Sequence, residues 1–172
     1  PTDVNDAADL IAERLRAHGV PVTMHTPTLY LTIPHHAEVR ADGATFGGKA
    51  PAGCADARNG VQGPLVYVPA GFAAGSDDVF DTFDEQAAAR SDVAGKIAIT
   101  EGFASPATVT NLANLGARAV IAINPGVDSH WGTCTSVWGT PGVDEKDGAP
   151  DIPAINVSRP DGDDLKARAE RG

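Results

Sequence analysis

Aromatic side chains are scarce in this chain, at 5 % of its 172 residues, so Ala, Val, Ile and Leu have to fill its core. Long apolar runs are missing as well. No stretch approaches the roughly 20 residues that a membrane-crossing helix needs, which excludes a helical span. Positive charge is in deficit: 13 Lys and Arg stand against 23 Asp and Glu, a formal net charge of −10. A field of that sign repels phosphate backbones, so no nucleic-acid partner is expected. The acidic cluster between Asp77 and Glu85 lacks the spacing of a calcium loop and reads as solvated surface. The first residues show no basic start followed by an apolar stretch, so no leader peptide is visible. The chain opens on Pro1 instead of Met, as expected for a piece of a longer or processed protein. Cysteine occurs only twice, at Cys54 and Cys134. A disulfide and two free thiols both fit that count, and the compartment does not follow from it.

Glycine and proline, by contrast, are plentiful, with 19 and 13 copies. They imply many turns between short elements, within one domain or one domain plus an arm. The clearest local grammar lies in residues 95–124. Ile97 and Ile99 mark a short strand. Ser105 then offers an oxygen to the free N–H groups of a helix start, and Pro106 takes the first helical position, where its missing N–H costs nothing. Val109, Leu112, Ala113 and Leu115 make an apolar stripe, and Gly116 suits the left-handed residue that ends a helix. Residues 117–123 form a second apolar run, closed by Asn124-Pro125-Gly126. Strand, helix, strand predicts parallel pairing.

Elsewhere, residues 3–18 predict a helix with Val4, Ala8, Ile11 and Leu15 on one face and Gly19 at its end. Alternation predicts strands over residues 20–24 and 29–33, the second limited by Pro34, and a short strand over 37–40 running into an Asp42-Gly43 turn. Residues 47–63 read as irregular loop, 64–69 (PLVYVP) as a strand, 79–90 as a short helix, and 127–151 as a long loop. Residues 152–158 (IPAINVS) read as a strand. Ser158, Pro160 and Asp161 open a final helix with Leu165 on its inner face.

The candidate chemistry is thin. GATFGGKA, residues 43–50, nearly spells a phosphate loop, but Ala50 has no hydroxyl for magnesium and Pro51 follows, so a hairpin turn is expected. His35 and His36 are adjacent on an extended segment and point to opposite faces, a poor pair for one metal. Asp128, Ser129, His130 and Cys134 lie close in sequence, and a thiol or serine nucleophile beside a base is a conceivable hydrolase site. No G-x-S-x-G elbow accompanies it. Trp131 and Trp138 serve either as core or as anchors of a groove. Asn156-Val157-Ser158 fits a glycosylation acceptor but falls in the expected strand. No catalytic and no metal-binding residues are assigned. The candidate peptide- or partner-binding residues are Phe103, His130, Trp131 and Trp138.

The sequence from residue 63 to 171 resembles the protease-associated domain, as inserted in di-zinc aminopeptidases related to glutamate carboxypeptidase. The resemblance rests on Gly95-Lys96-Ile97, on residues 116–121 (GARAVI), on Val137-Trp138-Gly139, on Ile152-Pro153 and on Asp161-Gly162. It implies an α/β fold of the swivelling β/β/α type: a β-rich sheet or open barrel flanked by helices, with an N-terminal helix-strand arm. Residues 1–45 are similar to the peptidase segment before the insertion, and residues 46–172 would be the protease-associated domain. The resemblance further implies a non-catalytic lid or substrate-access module that binds peptide or protein through residues 124–151. Its partners would be the catalytic domain of the same polypeptide and a peptide or protein substrate. Zinc would sit in that separate domain, with no cofactor in this chain, and an exported setting is mildly favoured. Glu101-Gly102 stands where many such domains have Arg-Gly, so no contact of that arginine is carried over. A stand-alone interaction domain is the alternative, and a small Cys or Ser hydrolase a further one.

Overall fold

The computed structural model describes residues 2–28, 31–70, 90–134 and 150–171. Helix α1 spans Thr2–Ala17. An antiparallel hairpin follows, β1 (Glu38–Ala41) and β2 (Ala44–Gly47). Asp42 and Gly43 join the two with φ of 48° and 77°, the paired left-handed geometry of a tight two-residue hairpin turn. Then come β3 (Leu65–Tyr67), β4 (Ile97–Glu101), helix α2 (Pro106–Asn114), β5 (Ala119–Ile123), β6 (Ala154–Val157) and helix α3 (Arg159–Arg171).

Strands β3, β4, β5 and β6 lie side by side in that order, all parallel. Both faces of such a sheet are covered, which is why β4 and β5 read as nearly unbroken apolar runs. The two faces differ in side-chain size. Ala98, Val120, Ala122 and Ala154 face Val109 and Leu112 of α2, with Val93 and Cys134 beside them. Ile99, Ile121, Ile123, Ile155 and Val157 face Phe46 of the hairpin and Leu165 of α3. The small residues let α2 settle close, and the isoleucine rows supply the bulk that the missing aromatics would otherwise provide. On the outer edge of β6, Lys49 exchanges both backbone hydrogen bonds with Asn156 at 2.9 Å, so the sheet edge is partly capped.

Local signals at the helix ends hold. The Ser105 hydroxyl accepts from the Thr108 N–H at 3.2 Å with Pro106 just inside α2, and Gly116 follows with φ of 85°. Ser158 accepts from the Asp161 N–H at 3.3 Å at the start of α3. Val109 and Leu112 are buried as their spacing predicts, while Leu115 at the helix end is exposed.

Other expectations fail for physical reasons. The apolar stripe of α1 is left largely uncovered: Val4 is 72 % and Ile11 60 % exposed, Leu15 is exposed too, and of the helix only Ala12 is buried. Residues 20–24 and 31–33 alternate as strands do but pair with no neighbour among the described residues, and Leu31 and Ile33 stand exposed. Residues 44–47, read as part of a turn, continue into β2 because Phe46 has a core to enter. Most of the helix expected over 79–90, and Trp138 with most of the loop around it, fall outside the described residues.

Gly162 explains the Asp161-Gly162 signature. A Cβ built there would meet Ile123 side-chain atoms at 2.3 Å, so α3 seats on β5 only with a hydrogen at that position. Gly162→Ala should lower unfolding free energy by about 1–3 kcal/mol in urea titrations, overpacking outweighing the helix propensity gained. An unchanged or raised stability would show that α3 is not seated as described.

Candidate functional site

In open parallel sheets, ligand-facing groups gather where the strands end at their carboxyl edge. Two buried asparagines organise that edge here. Asn124, the first residue past β5, donates from Nδ2 to the Gly102 carbonyl at 2.9 Å and to Asn156 Oδ1 at 3.1 Å. Its own Oδ1 accepts from the His130 N–H at 2.7 Å. Asn156, within β6, accepts from the Ala104 N–H at 3.0 Å through the same Oδ1. Both side chains are fully buried. These partners fix which amide atom points where, and they leave Asn156 Nδ2 without a partner among the described residues. A Cβ added at Gly132 would come within 3.2 Å of that nitrogen, so the loop passes directly over it.

The consequence is positional. Gly102 and Ala104 flank Phe103, and both are tied to the asparagine pair, as is His130. The Phe103 and His130 rings therefore meet edge to face, with centroids 5.8 Å apart. Next along the chain, Trp131 is 61 % exposed and carries the Lys49 ammonium 5.5 Å from its ring centroid. Trp131 and Lys49, with Pro34, His35, His36 and Ala50, line a shallow notch of about 110 Å³. Of the four candidate binding residues, the structure thus joins Phe103 to His130 and sets Trp131 on the notch, while Trp138 lies outside the described residues. Asn124 and Asn156 were missed. Their signal was an asparagine at the end of, or inside, an otherwise apolar strand (AVIAIN, IPAINVS), where a polar side chain has to find partners. The burial of Asn156 also overturns the glycosylation reading of residues 156–158.

A second polar group closes the far side of the edge. Glu101, only 2 % exposed at the end of β4, accepts from the Tyr67 hydroxyl at 2.6 Å and from the Lys166 ammonium at 3.0 Å. Lys166 also lies 3.8 Å from the Tyr67 ring centroid. Burial, followed by the hydrogen bond to Glu101, raises the Tyr67 hydroxyl above its usual pKa. Burial pulls Lys166 down, but its bonds to Tyr67 and Glu101 outweigh that and hold it above the ordinary lysine range. Glu101 thus points into the fold and joins α3 to β3 and β4. The residue that replaces the expected arginine is spent internally.

The nucleophile reading does not survive. Cys134 is buried, its thiol reaches the Ala104 carbonyl at 3.8 Å, and burial, with the Cys54 sulfur adding to it, pushes the thiol up to about 12. An activated thiol needs the opposite shift. Among the described residues no hydrogen bond joins the His130 ring to Ser129 or Cys134. The phosphate-loop segment is a hairpin strand, with Lys49 in the bridge to Asn156. His36 pairs with Glu38 at 3.2 Å, and no group of three or more His, Cys, Asp or Glu among the described residues is placed to hold a metal ion.

The family model of the PA domain matches residues 61–165. The chain belongs to the PA-domain family. Solved structures with the same fold include BSAP, a zinc aminopeptidase from Bacillus subtilis. It is 19 % identical, with 94 % of this chain and 34 % of that chain covered, at a TM-score of 0.57. They also include an aminopeptidase from Aneurinibacillus sp. strain AM-1, 20 % identical over 97 % of this chain and 35 % of that chain, at a TM-score of 0.59. The chain therefore spans about a third of the length of those enzymes. At such identity the likeness carries the fold alone. No curated protein matches the sequence. The PA-domain signatures fall on structural positions: residues 116–121 lead from α2 into β5, and Gly162 seats α3.

The asparagine pair gives a direct test. Asn124→Ala removes the partners of the His130 N–H and the Gly102 carbonyl at once. The Gly102 carbonyl is buried, while His130 is an exposed loop residue whose N–H is only partly buried, so at about 1–3 kcal/mol for a buried group left unpaired the variant should lose about 1–3 kcal/mol in urea unfolding. A loss below about 1 kcal/mol would mean that water or another group already serves those atoms.

Proposed function

We propose that this PA domain is a non-catalytic module of a larger zinc aminopeptidase, shaping substrate access and holding peptide at the notch beside Trp131. The catalytic part of the same polypeptide, with its two zinc ions, would supply the hydrolysis. Residues 1–45 would bridge to that part and residues 46–172 would be the module. The bridge would end within β2, which crosses that division.

One observation carries the reading. Val4, Ile11 and Leu15 of α1, with Leu31 and Ile33, are left uncovered, although the sheet, the hairpin and helices α2 and α3 build a well-packed core. Val4, Ile11 and Leu15 recur at helical spacing, so they form one stripe suited to a packed partner. The structurally similar enzymes are about three times as long as this chain, which supports a same-chain partner for that stripe. The notch adds the rest. An exposed tryptophan under a lysine, walled by proline and histidine, offers an apolar face and a cation to a passing peptide.

The test uses the full-length parent enzyme. Trp131→Ala should raise KM for oligopeptides by about 3–10-fold while kcat and the kinetics on a small chromogenic aminoacyl substrate stay within about twofold. Equal losses on both substrates would point to a general folding role, and no loss on either would remove the notch from substrate handling. Zinc-dependent turnover by residues 1–172 alone would contradict a non-catalytic module outright.

A further inference from the structure

The two cysteines, 80 positions apart in sequence, are brought to one place by the fold. Ala52 donates to the Gly132 carbonyl at 2.8 Å and accepts from the Cys134 N–H at 2.7 Å, which forms a parallel bridge between Ala52 and Thr133. Backbones in such a bridge run about 4.8 Å apart. Cys134 follows Thr133 directly and Cys54 stands two residues past Ala52, so the two cysteines leave that bridge on adjacent segments. Gly53, at a φ of 80°, then turns the chain, and Cys54 packs against the same apolar cluster that contains Cys134. The two sulfurs reach the carbonyls of Ala154 and Ala104, each at 3.8 Å. The Ala104 N–H is held by the Asn156 side chain, which ties the segment after β4 to β6, the strand that carries Ala154.

From this geometry we infer that Cys54 and Cys134 form a dithiol that closes to a disulfide behind the notch. The crosslink pins residues 48–54 to the loop of residues 124–134. Lys49 lies five residues before one sulfur and Trp131 three before the other, so the two walls of the notch become covalently joined. The oxidant is a small-molecule disulfide. Cys54, half-buried and the more accessible, loses its proton to solvent and attacks one sulfur of oxidised glutathione, releasing a glutathione thiolate. Cys134 then deprotonates and attacks the Cys54 sulfur. The mixed disulfide breaks, the protein disulfide forms, and a second glutathione thiolate leaves. Two protein thiols are oxidised, one glutathione disulfide is reduced to two thiols, and the two released protons reprotonate them. Burial holds both thiols above the ordinary range, so the reaction is slow on the folded chain and faster while it folds. This inference does not depend on any peptidase parent.

The experiment incubates the purified chain with oxidised glutathione, once folded and once during refolding from urea with a glutathione redox mixture. Intact mass and thiol counts under denaturant are read after each. The expected result, in at least one regime, is a monomer lighter by two hydrogens with no free thiol and no glutathione adduct. Its urea midpoint should rise above that of the reduced chain, and Cys54→Ser should keep one free thiol and show no such rise. A stable glutathione adduct on Cys54 with Cys134 free, disulfide-linked dimers, or two thiols retained in both regimes would overturn the inference. So would a crosslinked monomer with a lowered midpoint, since the bond would then distort the fold.

Discussion

The contact between Asn124 and Asn156 is the constraint on which the carboxyl edge of this sheet depends. Two amides buried among Ala, Val and Ile are costly unless nearly every donor and acceptor is used. Here they use the backbone of three separate segments: Gly102 and Ala104 after β4, and His130 in the loop after β5. Desolvation of the pair thus enforces one arrangement of the loops. The aromatic contact between Phe103 and His130, and the position of Trp131 under Lys49, follow from it.

Beneath that edge the sheet is asymmetric by side-chain volume. Alanines and Val120 face α2, while isoleucines and Val157 face the hairpin and α3. Gly162 and the pair of buried Glu101 with half-buried Lys166 fix α3 on the bulky side, one by close approach and one by charge-assisted bonds. A PA domain built this way presents a rigid edge with an exposed ring. That suits contact and positioning, while burial leaves the Cys134 thiol far from the activated state that nucleophilic catalysis requires.

Much of the central unit was legible in the sequence because its signals are local. Ser105-Pro106, Gly116 and the apolar runs around Ile99 and Ile121 each act within a few residues of themselves, and the structure places them as read. Ser158 and Leu165 behaved likewise. Long-range causes were not legible. Val20, Val22 and Met24 alternate like a strand, yet among the described residues no strand pairs with them. Val4, Ile11 and Leu15 mark a helix correctly, but periodicity says nothing of whether the covering surface lies in the same segment of chain. The site was half legible. Exposed aromatics on a loop pointed to His130 and Trp131, while Asn124 looked like a strand terminator and Asn156 like a weak modification signal. Their roles come from meeting each other across two strands, which no one-dimensional pattern reports.

Amide hydrogen exchange at His130 tests the central claim most directly. Its N–H sits in a loop, outside every described helix and strand, and among the described residues its hydrogen bond is to the Asn124 side chain. If the asparagine pair orders the edge, the His130 and Ala104 amides exchange as slowly as those within β5, on the timescale of sub-global or global opening. Exchange at the rate of an unstructured loop at either position, with β5 itself protected, would contradict the account.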